Sequence, residues 1–366
     1  MKTVNGNVCR LWFAICSYLK LPFSNFKPQA VFLIAVAGLF SSCLKEEEPV
    51  TPPNLQGNLK TAQIPLGKDY DKQFFFDLGS NQIVSSNLKS AWDLGFECGL
   101  NGSHIILNTS KLMFAWNSGD TAFSSVTSDS GAVWKWDVAS GNLDSTAVGE
   151  WGSVADGNVA SFRTVYLINR GKDALANPYG VKKIIFEGLT DNTYSFRYAN
   201  PDGTDAHSFQ IKKDEDYSFV YFSFDDGGKK VSIAPEKNSW DLEFTQYTHI
   251  FSETPDNIPQ PDTIIPYLVT GVLQNRAGTG AAEDFNTPFA DITLEEAIDL
   301  PFNETAIDVI GYDWKYFNFT EVSYTVLPKK IYIVRDNEGF LYKLRFIDFY
   351  NDLGEKGYPK FEFQRL

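Results

Sequence analysis

The sequence is poor in the residues on which most catalytic and metal chemistry depends. Its 366 residues include three histidines, four cysteines and two methionines. It contains no H-E-x-x-H, no G-x-S-x-G and no Cys/His ligand spacing, so metalloprotease, serine-hydrolase and zinc-site readings find no motif. Acids are plentiful, but no spacing sets two carboxylates together as a glycosidase pair. Positive charge is also short, with 32 Lys and Arg against 46 Asp and Glu. That leaves no basic footprint for nucleic acid. The longest apolar run, Ala30–Phe40, has 11 residues and is too short to span a bilayer as a helix.

That run organises the N-terminus. Residues 1–29 carry Lys2, Arg10, Lys20 and Lys27 and no acid, and the apolar run ends in "SSC". A basic stretch, a short apolar core and small residues at the cut describe a secretory signal over 1–42. The segment "LFSSC" resembles a lipobox, which implies cleavage before Cys43 and lipid on that cysteine. Residues 43–59 follow as an acidic, proline-rich tether, with Glu46–Glu48, Pro49, Pro52 and Pro53. Acids directly after the lipidated cysteine resemble a Bacteroidetes surface-export signal, which implies the extracellular side of the outer membrane. Cys9 and Cys16 leave with the signal and Cys43 is lipidated, so Cys98 has no partner for an intrachain disulfide.

Aromatic residues are abundant: 30 Phe, 17 Tyr and 8 Trp. They favour half-buried, pleated surfaces. The chain also repeats itself. "KDYDKQFFFDLG" and "SAWDLGFEC" are answered by "KDEDYSFVYFSF" and "NSWDLEFTQ". "TVYLINRG" is answered by "KIYIVRDNEG". Four strand-like segments recur in the same order, giving tandem units over 60–212 and 213–366. In "SFVYFSF", Phe219, Tyr221 and Ser223 alternate with Val220, Phe222 and Phe224, so a strand there has apolar area on both faces. Asp336–Gly339 reads as the turn of a hairpin. Residues 294–300, "LEEAIDL", are the one helical pattern. The expected fold class is all-β, built of antiparallel hairpins. In Trp-Asp-Leu, period-two alternation puts Trp and Leu on one face; the Asp is expected to cap a turn or accept backbone hydrogen bonds.

The lipobox, the aromatic strand, "NSWDLEF" and the C-terminal "KKIYIVRDNEGFLYKLRFIDFYNDLGEKGYPKFEF" together resemble the HmuY family of haem-binding surface lipoproteins. The resemblance is best over 213–366 and weaker over 60–212. It implies an all-β fold, a non-enzymatic role, haem as a ligand and an outer-membrane haem receptor as a partner. The positions that would carry the family's axial histidines fall on Asn318 or Phe319 and in a stretch, 293–312, that has no histidine. Met113 is the sole methionine after the signal.

The remaining candidates are few. His249 and His104 each follow a Trp-Asp-Leu segment and precede Ile, which is compatible with a duplicated ligand position or with structural strand histidines. Tyr247 and Tyr316, with Tyr312 and Tyr324, could ligate ferric haem. His207 reads as a loop residue. No metal site is expected from spacing. Two other functions stay open: a glycan- or partner-binding surface module using Trp116, Trp134 and Trp136, and a surface hydrolase with a carboxylate pair hidden from the sequence.

Overall fold

The computed structural model describes residues 57–366 apart from 174, 252–264 and 285–286. The signal, Cys43 and most of the tether therefore lie outside the described residues. The fold is antiparallel β nearly throughout, as the alternation predicted. The short helix shrinks to Leu294–Ala297, closed at its start by a Thr293/Glu296 capping box. The predicted hairpin is present: Ile331–Arg335 pairs with Leu341–Tyr350 around a turn in which Gly339 has φ +90°.

Four sheets carry the architecture, together with a two-stranded ribbon, Lys315–Asn318 with Ser323–Val326. Two of these sheets are inner and equivalent. One orders Lys229–Val231, Phe219–Ser223, Leu94–Glu97 and Ile105–Leu107. The other orders Ile265–Gln274, Leu242–Phe251, Lys72–Asp77 and Gln82–Leu88. Each therefore joins strands from both sequence repeats. The aromatic strand of the first repeat pairs with the Trp-Asp-Leu strand of the second, Phe75 opposite Glu243. The aromatic strand of the second repeat pairs with the Trp-Asp-Leu strand of the first, Tyr221 opposite Gly95. Repeats that are consecutive in sequence thus exchange strands in space. Lys60–Gln63 continues this pattern by pairing with the C-terminal strand Lys356–Arg365.

The reason lies in the two apolar faces of each aromatic strand. Phe74 and Phe76 enter one large core with Phe244, Trp314, Phe346 and Phe361. Val220 and Phe222 enter the other with Phe96, Phe186, Phe196 and Tyr198. The opposite faces, Phe75 and Tyr221, meet Trp92, Trp240 and Ile233 in a third, central layer between the inner sheets. Full burial of a side chain such as Phe is worth roughly 1.5–3 kcal/mol, so a strand apolar on both sides is most stable between two layers.

The Trp-Asp-Leu expectation needs one correction. The strands begin at Leu94 and Leu242, and the backbone bends just before them at Asp93 and Asp241. Leu94 and Leu242 then enter the two large cores while Trp92 and Trp240 turn into the central layer. Alternation fails here because the motif straddles a bend. The two aspartates accept backbone hydrogen bonds as expected, Asp93 from Phe224 N at 2.8 Å and Asp241 from Leu78 N at 2.9 Å.

A candidate ligand cleft where the repeats meet

The two histidine segments are not equivalent in space. After Leu94–Glu97 the chain reverses before His104, and Ile105–Leu107 returns beside it. After Leu242 the strand runs on through His249 to Phe251. The hairpins re-align at their far ends, where Leu94 faces Leu107 and Leu242 faces Gln274. The next residues, Asn108 and Asn275, are matched: their Nδ2 atoms donate to Trp92 O at 2.8 Å and Trp240 O at 2.7 Å. The longer second hairpin carries His249 beyond anything in the first repeat.

Each expected site residue has a local account. His104 Nδ1 lies 2.6 Å from Glu97 Oε2, with Asp144 at 3.8 Å from Nε2. The hydrogen bond to Glu97 raises the imidazole above its ordinary value against the effect of burial. Burial pushes the Glu97 carboxyl up, but the hydrogen bonds from His104 outweigh it and hold the group below its usual range. His207 is bound to Asp205 at 2.7 Å. His249 packs between Phe251 and Tyr312, each 4.9 Å away by ring centroids, and its Nδ1 has no hydrogen-bond partner among the described residues. Tyr247 is buried with Val269 and Leu273, and burial raises its phenol. Tyr316 is exposed on the ribbon, and Phe319 beyond it is 83% exposed. Met113 is sealed in the first core. Trp116 and Trp134 pack against Val165, Leu167 and Ile185, which gives them a core role.

A concave site lies elsewhere, where residues of the two repeats meet. An open cleft of about 810 Å³ is walled by Glu97, the 140–143 loop, Tyr217–Phe219, Lys237, Asn238, Arg276 and residues 304–306. Beneath it lies a smaller cavity of about 100 Å³ that reaches Trp92, Trp240, Tyr221, Glu243 and Tyr247. Gly141, Ser218, Phe219 and Arg276 line both. Arg276 is the divider: its Nη1 donates to Gly141 O, and its guanidinium lies 5.9 Å over the Phe219 ring. Gly141 has φ +68°, a conformation that favours glycine, and a Cβ there would also crowd Ile307 at 2.7 Å and displace the Arg276 guanidinium. Of the expected site residues, Tyr247 lines the small cavity, and none of His104, His249 and Tyr316 lines either space.

Glu243 and Arg276 were missed by the sequence reading. The available signal for Glu243 was the difference between "WDLGF" and "WDLEF", an acid inside a buried strand. Burial pushes its carboxyl up to about 7 while Arg276 opposes the shift. Arg276 gave no signal, since its partners, Gly141 of the other repeat and Phe219, are both far from it in sequence.

The fold and cleft define the class: a duplicated antiparallel β-protein with a solvent-open cleft where its two strand-exchanged repeats meet. The family model described as HmuY protein matches residues 69–212 and 267–363, well over half of the chain, and the chain belongs to that family. Among solved structures it is similar to a putative HmuY-like haem-binding protein from Bacteroides vulgatus, with 10% identity, TM-score 0.22, and coverage of 84% of this chain and 94% of that one. It is also similar to apo PinO from Porphyromonas gingivitis, with 10% identity, TM-score 0.27, and coverage of 84% and 97%. A putative lipoprotein from Bacteroides fragilis matches at 15% identity and TM-score 0.22, covering 50% of this chain and 88% of that one. No curated protein matches this chain.

Proposed function

We propose that the mature chain is a cell-surface lipoprotein that binds a ligand in the cleft between its repeats and does no chemistry on it. The observation that carries this reading is the cleft itself. Its volume falls within the ~300–1,000 Å³ of small-molecule sites. Family membership supports a binding role, and the lipobox at Cys43 supports anchoring at the outer membrane, facing out.

Haem is the ligand the family resemblance implies, and the residues present do not fit ligation by a pair of imidazoles; Tyr217 is the one haem-ligating side-chain type in the cleft wall. Neither the cleft nor the small cavity is lined by His, Met or Cys. Among the described residues no group of three or more His, Cys, Asp or Glu could hold a metal ion. A haem in this cleft would be gripped by its edges and faces, without an imidazole on iron. Ser140, Asn142, Tyr217, Asn238 and Thr305 give the wall a hydrogen-bonding character that also suits a glycan.

The deciding experiment is a haemin titration of residues 44–366 followed through the Soret band, with oligosaccharides as the parallel ligand set. The expected result is either a high-spin haem complex indifferent to His104→Ala and His249→Ala, or saccharide binding without haem. A low-spin, bis-imidazole spectrum abolished by either substitution would overturn the reading. Palmitate incorporation lost in Cys43→Ala, with protease sensitivity on intact cells, tests the anchor and its side.

A further inference from the structure

We propose that the small cavity beneath the cleft is a subsite for an organic ammonium group, with Glu243 as its counter-ion and aromatic side chains as its walls. The inference deepens the cleft reading, since the cavity shares its outer wall with the cleft.

Glu243 sits mid-strand between Phe75 and Leu273. Among the described residues nothing donates a hydrogen bond to its carboxyl, and no ion pair forms with Arg276. Glu243 is half-buried and opens onto the cavity, and a carboxyl held in so enclosed a space without a partner is less favourable than one in open water. The fold does not require an acid there. The equivalent position in the first repeat is Gly95, where a Cβ would meet Ile106 at 2.7 Å. The second repeat has put a carboxylate into the space that the first fills with Ile106.

The surroundings select the sign of the ligand. Trp92, Trp240, Tyr221 and Phe219 line the same cavity, and aromatic faces attract cations. Both indole Nε1 atoms lack an acceptor but are sealed from open space, so they do not call for an anion. Each indole meets a ring edge-on instead, Trp92 with Tyr221 at 4.8 Å and Trp240 with Phe75 at 4.9 Å. Asp137, the other acid in the wall, is already bound to the backbone N–H groups of Leu107 and Ala147. Arg276 is held at the rim by Gly141 O and Phe219. The net charge of −14 draws cations to the surface in general. A volume of about 100 Å³ excludes a sugar ring or a porphyrin and admits an ammonium with a short alkyl stem. The stem would run past Gly141 and Arg276 into the cleft.

The test uses three small three-carbon probes of different charge, n-propylammonium, 1-propanol and propionate, titrated into residues 44–366. The readout is the ¹⁵N indole signals of Trp92 and Trp240, assigned through Trp92→Phe and Trp240→Phe. Propylammonium is expected to give saturable shifts in both indoles, and the other two probes none. Glu243→Gln should keep the fold with an undiminished Tm and weaken the ammonium by about tenfold or more. Equal or stronger shifts with propionate would overturn the proposal, as would unchanged affinity in Glu243→Gln or no saturable shift with any probe, which would assign the cavity to water. The outer cleft is scored separately by haemin and saccharide binding. Loss of that activity with the indole response intact would fail the cleft reading alone.

Discussion

The same Trp-Asp-Leu bend is built twice in this molecule and solved electrostatically in opposite ways. In the first copy Asp93 is fully buried and ion-paired. Lys111 Nζ lies 2.6 Å from its Oδ1 and Arg170 Nη2 2.9 Å from its Oδ2, and Arg170 also reaches Asp225 at 2.6 Å. In the second copy Asp241 accepts from Leu78 N at 2.9 Å and from Asn337 N at 3.3 Å, with Thr279 Oγ1 at 3.4 Å. The residue aligned with Arg170 is Asp336, a like charge. Burial first, then Asp336 and Asp77, push Asp241 up to about 7. The backbone bonds are conserved between copies while the countercharge is not. Backbone geometry is therefore what the motif is for, and the ionic surroundings are a local choice.

The largest test of that contrast is Asp93→Ala against Asp241→Asn. Removing Asp93 strands two buried cations and should cost about 3–5 kcal/mol in urea denaturation. Asp241→Asn keeps an acceptor for Leu78 N and removes a poorly tolerated charge, so it should be neutral or stabilising at pH 8. The pH dependence follows from the direction of the shift. The folded value of Asp241 lies above the unfolded one, so the native state holds the extra proton. That contribution is full below the ordinary carboxyl value, ~4, and is lost as pH rises through about 7. Asp241→Asn should flatten this slope. Equal costs for the two substitutions would collapse the contrast.

A middle-sized effect sharpens what the copies share. Asn108→Ala and Asn275→Ala each remove two hydrogen bonds to carbonyls, those to Lys89 O and Trp92 O in one copy and to Lys237 O and Trp240 O in the other. Each should cost about 1–3 kcal/mol, and the two values should agree. A large difference would mean that the bends are not energetically equivalent.

The smallest effect concerns His104. Its side chain is 34% exposed, so solvent screens the pair with Glu97 and His104→Gln should cost below about 1 kcal/mol. The imidazole value is raised in the fold, so its contribution is present below the unfolded value of ~6.5 and is lost as pH rises through the folded one. The substitution should therefore register at pH 6 and vanish at pH 9. Persistence at pH 9 would assign His104 a role beyond this pair.

The sequence alone determined the β class, the duplication and the two-sided burial of the aromatic strands, because period-two alternation and repeated motifs are local properties of the chain. It also marked the Trp-Asp-Leu motif through repetition, but alternation read the motif as continuous strand and the bend at Asp93 and Asp241 came only with the structure. It did not determine which strand pairs with which. Phe75 opposite Glu243 and Tyr221 opposite Gly95 are contacts across the repeat boundary, and either pairing scheme satisfies the same alternation. Nor could it reveal that the two histidine segments diverge, since that depends on where each hairpin turns. The cleft, the cavity and the positions of Glu243 and Arg276 follow from the strand exchange, which sets two inner sheets face to face. Tertiary structure decided these because a concave site is defined by distances between residues far apart in sequence, and local patterns do not encode such distances.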